Sequence, residues 1–157
     1  MMEKKAQKAV ELFKSGYNCS QAVIAAFAEE LGIESDTAVK IASSFGGGMG
    51  GMREVCGAVS GMFMAAGIRY GYTDPTDHTA KKEHYKRIQK MASAFTEQNG
   101  SIICHELLGI RPEGDNLIPR ERTKEYYKKR PCAEYVRCAA QIFAEMTEND
   151  EIATHGL

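Results

Sequence analysis

The amino-acid sequence predicts an all-α protein, a single-domain helical bundle of about six or seven helices around a buried, glycine-rich central helix. Three observations lead there. Apolar residues recur at helical spacing in almost every segment that glycine or proline marks off. Strand-like alternation nowhere runs longer than a few residues. The 157 residues show no internal repeat, low-complexity tract or composition shift, so they make one domain, and a chain of that length buries ~70% of its unfolded surface without needing staples.

The first helix carries Ala6, Val10 and Phe13 on one face and stops at Gly16. The second carries Ile24, Phe27 and Leu31 and stops at Gly32; Asn18 is its N-cap, with Gln21 completing a capping box. A short third helix spans about Asp36 to Ser44, and the run Gly46-Gly47-Gly48-Met49-Gly50-Gly51 follows it. The fourth, from about Glu54 to Tyr70, is apolar all round. Its Gly57, Gly61 and Gly67 let neighbours pack against bare backbone, which makes it the expected central helix. Tyr72 to Asp77 reads as a loop. Tyr85, Ile88, Ala92 and Phe95 form the stripe of a fifth helix that Asn99-Gly100 ends. A one- or two-turn helix covers Cys104 to Leu108, with Ser101 as its N-cap, and a polar loop with Pro112, Gly114 and Pro119 follows. The charged run Lys124 to Arg130 reads as a solvated helix face. Pro131 then opens a last amphipathic helix with Val136, Ala139, Phe143 and Met146. Residues 147–157 are expected to form a flexible tail.

Twenty basic and twenty-one acidic residues leave a formal charge of −1, which offers no global attraction for nucleic acid or an anionic membrane. The N-terminus Met1-Met2-Glu3-Lys4-Lys5-Ala6 lacks a secretory apolar region and a twin arginine, so a cytoplasmic location is expected. The uncharged run Val55 to Ile68 is shorter than the roughly 18 apolar residues of a membrane span. The apolar content is compatible with a homodimer. Five cysteines in a reducing compartment do not read as structural disulfides, and their odd number argues further against full pairing. Metal ligation or thiol redox chemistry becomes the leading class.

Cys19, Cys104 and Cys132 fall in the first turns of their helices, and Cys56 in the opening turn or so of the central one. A helix N-terminus offers unpaired N–H donors and a partial positive charge, both of which favour thiolate, the form that attacks disulfides and binds metals. Cys138 lies six residues beyond Cys132, about 120° away around the helix, and reads as a structural thiol. No CxxC or CxxCH occurs, so zinc ribbons, thioredoxin-type dithiols, ferredoxin runs and c-type haem attachment lack their signatures. Any site must therefore be assembled in three dimensions.

The segments Gly16-Tyr17-Asn18-Cys19-Ser20-Gln21-Ala22, Phe45-Gly46-Gly47-Gly48-Met49-Gly50 and Val55-Cys56-Gly57-Ala58-Val59-Ser60-Gly61, with Cys104 and Cys132, resemble the redox-active protein family named for its C-GCAxxG-C-C cysteine pattern. The resemblance spans about residues 6–146. Here the order is Cys56-Gly57-Ala58 where the family's name has Gly-Cys-Ala, and Cys138 has no counterpart. The resemblance implies a small helical redox protein with an iron–sulfur centre, related to a domain of split-Soret cytochromes but without the haem part.

Gly46, Gly48 and Gly51 satisfy GxGxxG, but a helix and not a strand precedes them, so a dinucleotide site is rejected, and no lysine completes a Walker A loop. The glycines either bring backbone N–H groups to the cysteine site or serve as a tight connection. Gly47, Gly48 and Gly57 are the candidates for approaching a cofactor. His105 is a poor co-ligand beside Cys104, since adjacent helical residues diverge by about 100°, and His78 and His84 read as solvent-facing. Arg53 and Glu54 read as a surface pair, with a thiolate partner as the less favoured role. Met49, Met52, Met62 and Met64 read as core filler and not copper ligands.

Three functions remain open. In the first, Cys19, Cys56, Cys104 and Cys132 bind an iron–sulfur cluster that passes electrons to a partner protein; four thiolates suit a two-iron or a four-iron cluster. In the second, two of the same cysteines are the catalytic pair of a metal-free thiol–disulfide oxidoreductase. In the third, the four hold structural zinc in a binding module.

Overall fold

The computed structural model describes residues 2–155. Among them are eight α-helices: α1 (Met2–Lys14), α2 (Cys19–Leu31), α3 (Ser35–Ala42), α4 (Gly57–Tyr70), α5 (His78–Asn99), α6 (Cys104–Leu108), α7 (Lys124–Lys129) and α8 (Cys132–His155). The expected all-α single-domain bundle is what forms, with one helix more than anticipated because the charged run before Pro131 closes a helix of its own. Thr123 caps α7 by accepting a hydrogen bond from the Tyr126 N–H. Two 3-10 turns, Ser43–Phe45 and Gly114–Leu117, interrupt the loops.

The helices form where apolar stripes meet. Ala6, Val10 and Phe13 of α1 are buried against α2 and α8, and Phe27 of α2 meets Phe143 of α8 edge to face with ring centroids 4.7 Å apart. Such aromatic pairs add ~0.5–1.5 kcal/mol beyond their buried area. The hub is shared: α4 is buried along its first three turns, but Ile68 near its end is 41% exposed, whereas α2 packs on α1, α3, α4 and α8. Where α2 crosses α4, Gly61 leaves no room for a side chain. A Cβ there would stand 2.6 Å from the Ser20 carbonyl oxygen. On α5, Met91 and Phe95 are buried, while Tyr85, expected in the same stripe, is half exposed with Lys81 over its ring. Tyr85 sits in the N-terminal half of a 22-residue helix, where every residue from Lys81 to Lys90 is exposed or only half-buried.

Three expectations are corrected in ways that shape the site. The central helix starts at Gly57 and not near Glu54, because residues 54–56 run extended and, with the left-handed Arg53 before them, pair with residues 102–105. The Cys56 N–H donates to the Ile102 carbonyl (2.7 Å), the Cys104 N–H to Glu54 (2.6 Å) and the His105 N–H to Arg53 (3.1 Å), around an antiparallel bridge between Val55 and Ile103. The short helix α6 is capped at Ile103, with Ser101 reaching it from outside by accepting the Ile103 N–H at 2.9 Å. The segment expected as a flexible tail from 147 continues α8 as far as His155, and 156–157 lie outside the described residues. No helix among the described residues is long and apolar enough to cross a membrane.

Candidate functional site

Four elements deliver the sulfurs. Asn18 caps α2 through a full capping box, its side chain accepting from Gln21 N–H at 2.9 Å while Gln21 accepts the Asn18 N–H at 3.0 Å, so Cys19 is the first helical residue. Cys104 and Cys132 are likewise the first residues of α6 and α8, and Cys56 is the N-cap of α4. All four helix starts point to one place. Cys19, Cys56, Cys104 and Cys132 line a single cavity of about 50 Å³, with Gly47, Gly48 and Gly57 in its walls. Cys138 is elsewhere, held between Asn99 (3.3 Å) and Gln98 (3.4 Å).

The glycines matter for clearance. A Cβ on Gly48 would come within 2.7 Å of the Cys104 Cβ, and one on Gly57 within 3.1 Å of the Cys19 Cβ. From Gly47 to Arg53 the loop repeatedly visits the left-handed region, including the non-glycine residues Met49 (φ 66°) and Arg53 (φ 61°). For a residue with a side chain that conformation costs ~1–2 kcal/mol. The Gly47 carbonyl accepts the Arg53 N–H and the Gly48 carbonyl the Glu54 N–H, so the loop folds back onto the paired segment that carries Cys56.

Arg53 is not a surface partner of Glu54. It is only 8% exposed; its Nε donates to the Asn116 carbonyl at 2.7 Å and its Nη1 to Cys104 Sγ at 3.7 Å. Its left-handed backbone, invisible in the pattern of neighbouring residues, turns the side chain inward. Arg122, Tyr126 and Tyr135, none of them singled out by sequence reasoning, also line the cavity. Arg122 donates to the carbonyls of Phe13 (3.1 Å) and Tyr17 (3.1 Å) and stacks over Phe13. It sits in a charged loop where no local signal separates it from solvated neighbours.

The electrostatics differ from the expectation that helix N-termini would favour thiolate at all four positions. Burial pushes Cys56 up to about 12, against a smaller opposing pull from the nearby Val59 and Ala58 N–H groups. Burial also raises Cys104, although Arg53 pulls it back. Cys19 is raised well above its ordinary value because its thiol is placed to donate to the Cys132 sulfur. That donation and the neighbouring Arg130, Arg122 and Arg53 bring Cys132 down to about 7, against the opposing effect of burial. Desolvation of a buried thiol therefore outweighs half a unit of helix charge at Cys56 and Cys104, and at Cys19 the hydrogen bond to Cys132 leads, with burial behind it.

Of the other candidates, His78 is exposed, His105 is half-buried beside the cavity without lining it, and His84 is half-buried edge-on to Tyr72 and not solvent-facing. Met62 is fully buried, but Met52, expected in the core, is 56% exposed. Among the described residues, no three cysteine, histidine, aspartate or glutamate side chains converge closely enough to hold a single metal ion.

The family model described as "Putative redox-active protein (C_GCAxxG_C_C)" matches residues 17–146, a span that contains all four cavity cysteines. The chain belongs to this family. The family pattern thus covers α2 to α8 and the glycine loop between them. A protein of Archaeoglobus fulgidus, described as "Uncharacterized protein", is 29% identical over 150 residues, which cover 89% of this chain and 91% of that protein. No solved structure matches the chain.

Proposed function

We propose that Cys19, Cys56, Cys104 and Cys132 bind an iron–sulfur cluster and that the protein uses it to exchange electrons with a partner protein. One observation carries this reading: four thiols from four separate helix starts face one cavity. Its volume, about 50 Å³, is several times the ~10–15 Å³ that a single water requires. Gly48, which has no room for a Cβ beside Cys104, and Gly57, where a Cβ would crowd Cys19, keep backbone close to the sulfurs. Arg53 and Arg122 in the walls supply positive charge to balance four thiolates. A four-iron cluster puts one thiolate on each iron, so its cysteines stand farther apart than four ligands on one zinc. The lack of three convergent ligands among the described residues therefore weighs against structural zinc and not against a cluster. A bound cluster supplies one-electron transfer, and hydrogen bonds to its sulfurs set its potential. Arg53, already on Cys104, is the side chain best placed to do so.

Anaerobic purification, followed by an absorption spectrum and analysis of iron and acid-labile sulfide, tests the reading. Broad visible absorption with both elements is expected, lost on changing any of the four cysteines to serine and kept in Cys138→Ser. Protein that stays colourless and iron-free after anaerobic reconstitution overturns it.

The pairing of Cys19 with Cys132 supports a second reading, a metal-free thiol–disulfide oxidoreductase. Cys132 is the thiol nearest neutrality and Cys19 lies within hydrogen-bonding reach. Cys132 thiolate would attack a substrate disulfide and expel one thiolate; Cys19 would then lose its proton, displace the second thiolate and leave a Cys19–Cys132 disulfide. In this case Cys56→Ser and Cys104→Ser retain activity on a disulfide substrate, whereas cluster binding needs all four.

A further inference from the structure

A second cleft opens beside the cysteine cavity. It encloses about 290 Å³ between the glycine loop and the stretch from Pro119 to Tyr126; Arg53 reaches it from the end of the loop, and Arg120 and Arg122 from the facing stretch. No carboxylate lines it. None of the three arginines has an ion-pair partner among the described residues, and Arg53 is more than nine-tenths buried. A buried guanidinium without a counter-charge is unfavourable unless an anion completes it. The loop supplies further donors. Gly47, Gly48, Gly50 and Gly51 all have positive φ, and among the described residues the N–H groups of Gly47 and Gly50 donate to no acceptor. These free N–H groups, on a turn that lines the cleft, are donors that an anion could accept from.

We propose that this cleft binds a small molecule carrying a phosphate group. One guanidinium fork satisfies a planar carboxylate, whereas three guanidiniums gathered from two facing segments, each with N–H donors beyond those bonded to Asn116, Cys104, Phe13 and Tyr17, together with backbone donors of the loop, suit a tetrahedral oxyanion of higher charge. The volume lies near the lower end of the ~300–1,000 Å³ typical of small-ligand pockets, so the ligand is small. Asn18, Gly47, Arg53, Arg122 and Tyr126 line both the cleft and the cysteine cavity. A ligand anchored by its phosphate therefore lies against the wall that holds the cysteines, in position to be their substrate. If the cysteines hold a cluster, their thiolates already balance Arg53 through Cys104, and the cleft's anion then rests on Arg120, Arg122 and the loop N–H groups, none of which is a sulfur ligand.

The test uses the full chain, reduced and uniformly ¹⁵N-labelled, titrated with inorganic phosphate against sodium chloride at matched ionic strength. Saturable shifts at the Gly47, Gly50 and Gly51 amides are expected with phosphate and not with chloride. Arg120 is exposed and, among the described residues, its side chain hydrogen-bonds to Asn116 alone, so Arg120→Gln leaves the fold intact and weakens phosphate binding about ten-fold, the scale of one charge-assisted hydrogen bond. Arg120→Lys keeps most of the affinity, and Lys86→Gln on the basic face of α5 keeps all of it. Shifts that chloride reproduces, shifts centred on Lys81 to Lys86, or an affinity indifferent to Arg120→Gln each overturn the proposal.

Discussion

Gly48→Ala and Gly50→Ala form a matched pair that isolates how tightly the glycine loop is held against the cysteines. Both glycines have left-handed backbone, with φ of 69° and 60°, so alanine at either position incurs the same conformational cost, ~1–2 kcal/mol. Their surroundings differ. At Gly50 the nearest atom to an added Cβ is the Ser44 carbonyl oxygen at 3.5 Å, an ordinary contact. At Gly48 the same methyl meets the Cys104 Cβ at 2.7 Å and both the Arg53 Cα and the Glu54 nitrogen at 2.8 Å. Two of these three are backbone atoms, tied by the Glu54-to-Gly48 and Cys104-to-Glu54 hydrogen bonds, and they cannot swing aside as a flexible side chain would. Overpacking of this kind adds ~1–3 kcal/mol. Gly50→Ala should therefore cost about 1–2 kcal/mol and Gly48→Ala about 2–5 kcal/mol. Equilibrium urea unfolding of the metal-free, reduced protein measures both, and iron content after reconstitution shows whether the damage reaches the cysteines, as it should for Gly48→Ala. Equal losses, within about 0.5 kcal/mol of each other, would refute the close approach of loop and Cys104.

Other expectations follow from the same geometry. In the metal-free protein, iodoacetamide should label Cys132 first, its rate rising through about pH 7, with Cys56 silent until strongly alkaline pH because its thiol holds its proton to about 12; peptide mass spectrometry reads the order. The linkage has two signs. Cys132 is depressed, so the stability it contributes is present above its unfolded value near 9.0 and is lost as pH falls through about 7. Cys56 is raised, so its contribution is full below 9.0 and lost as pH rises toward 12; urea midpoints should fall on both sides of an intermediate optimum. Gly61→Ala should destabilise by ~1–3 kcal/mol, because its methyl would meet the Ser20 carbonyl oxygen, whereas Gly67→Ala, with nothing within 4 Å, should stabilise by ~0.5–1 kcal/mol through helix propensity. Asn18→Ala removes the α2 capping box and a bond to the Ser43 carbonyl, so a loss of ~1 kcal/mol in a thermal or urea melt is expected.

Much of the fold is legible along the chain because helix signals are local. The stripe Ala6, Val10 and Phe13, the capping box at Asn18 and the left-handed glycines that end α2 and α5 each depend on residues within a turn or two. The reading fails where a distant segment intervenes. Glu54 to Cys56 carries an apolar run that continues into α4, yet pairing with residues 102–105 holds it extended. Tyr85 matches the apolar spacing of α5 and stays in solvent because the residues around it, from Lys81 to Lys90, are not buried.

The placement of Cys19, Cys104 and Cys132 at helix starts could be read from Asn18, Ser101 and Pro131. The inference from that placement to thiolate could not. A helix end acts through its own first turn, but desolvation sums over every atom packed around the sulfur, and those atoms come from α2, α4, α6 and α8 together. The same holds for Arg53 and Arg122, whose roles arise from partners 51, 63 and 109 positions away. By itself the sequence determined which segments are helical, which residues face the core and which four thiols stand at helix starts. Only the tertiary structure decided that those thiols share one cavity, that three of them keep their protons, and that two arginines stand beside them. Local pattern carries the first set, and convergence of residues remote in the chain carries the second.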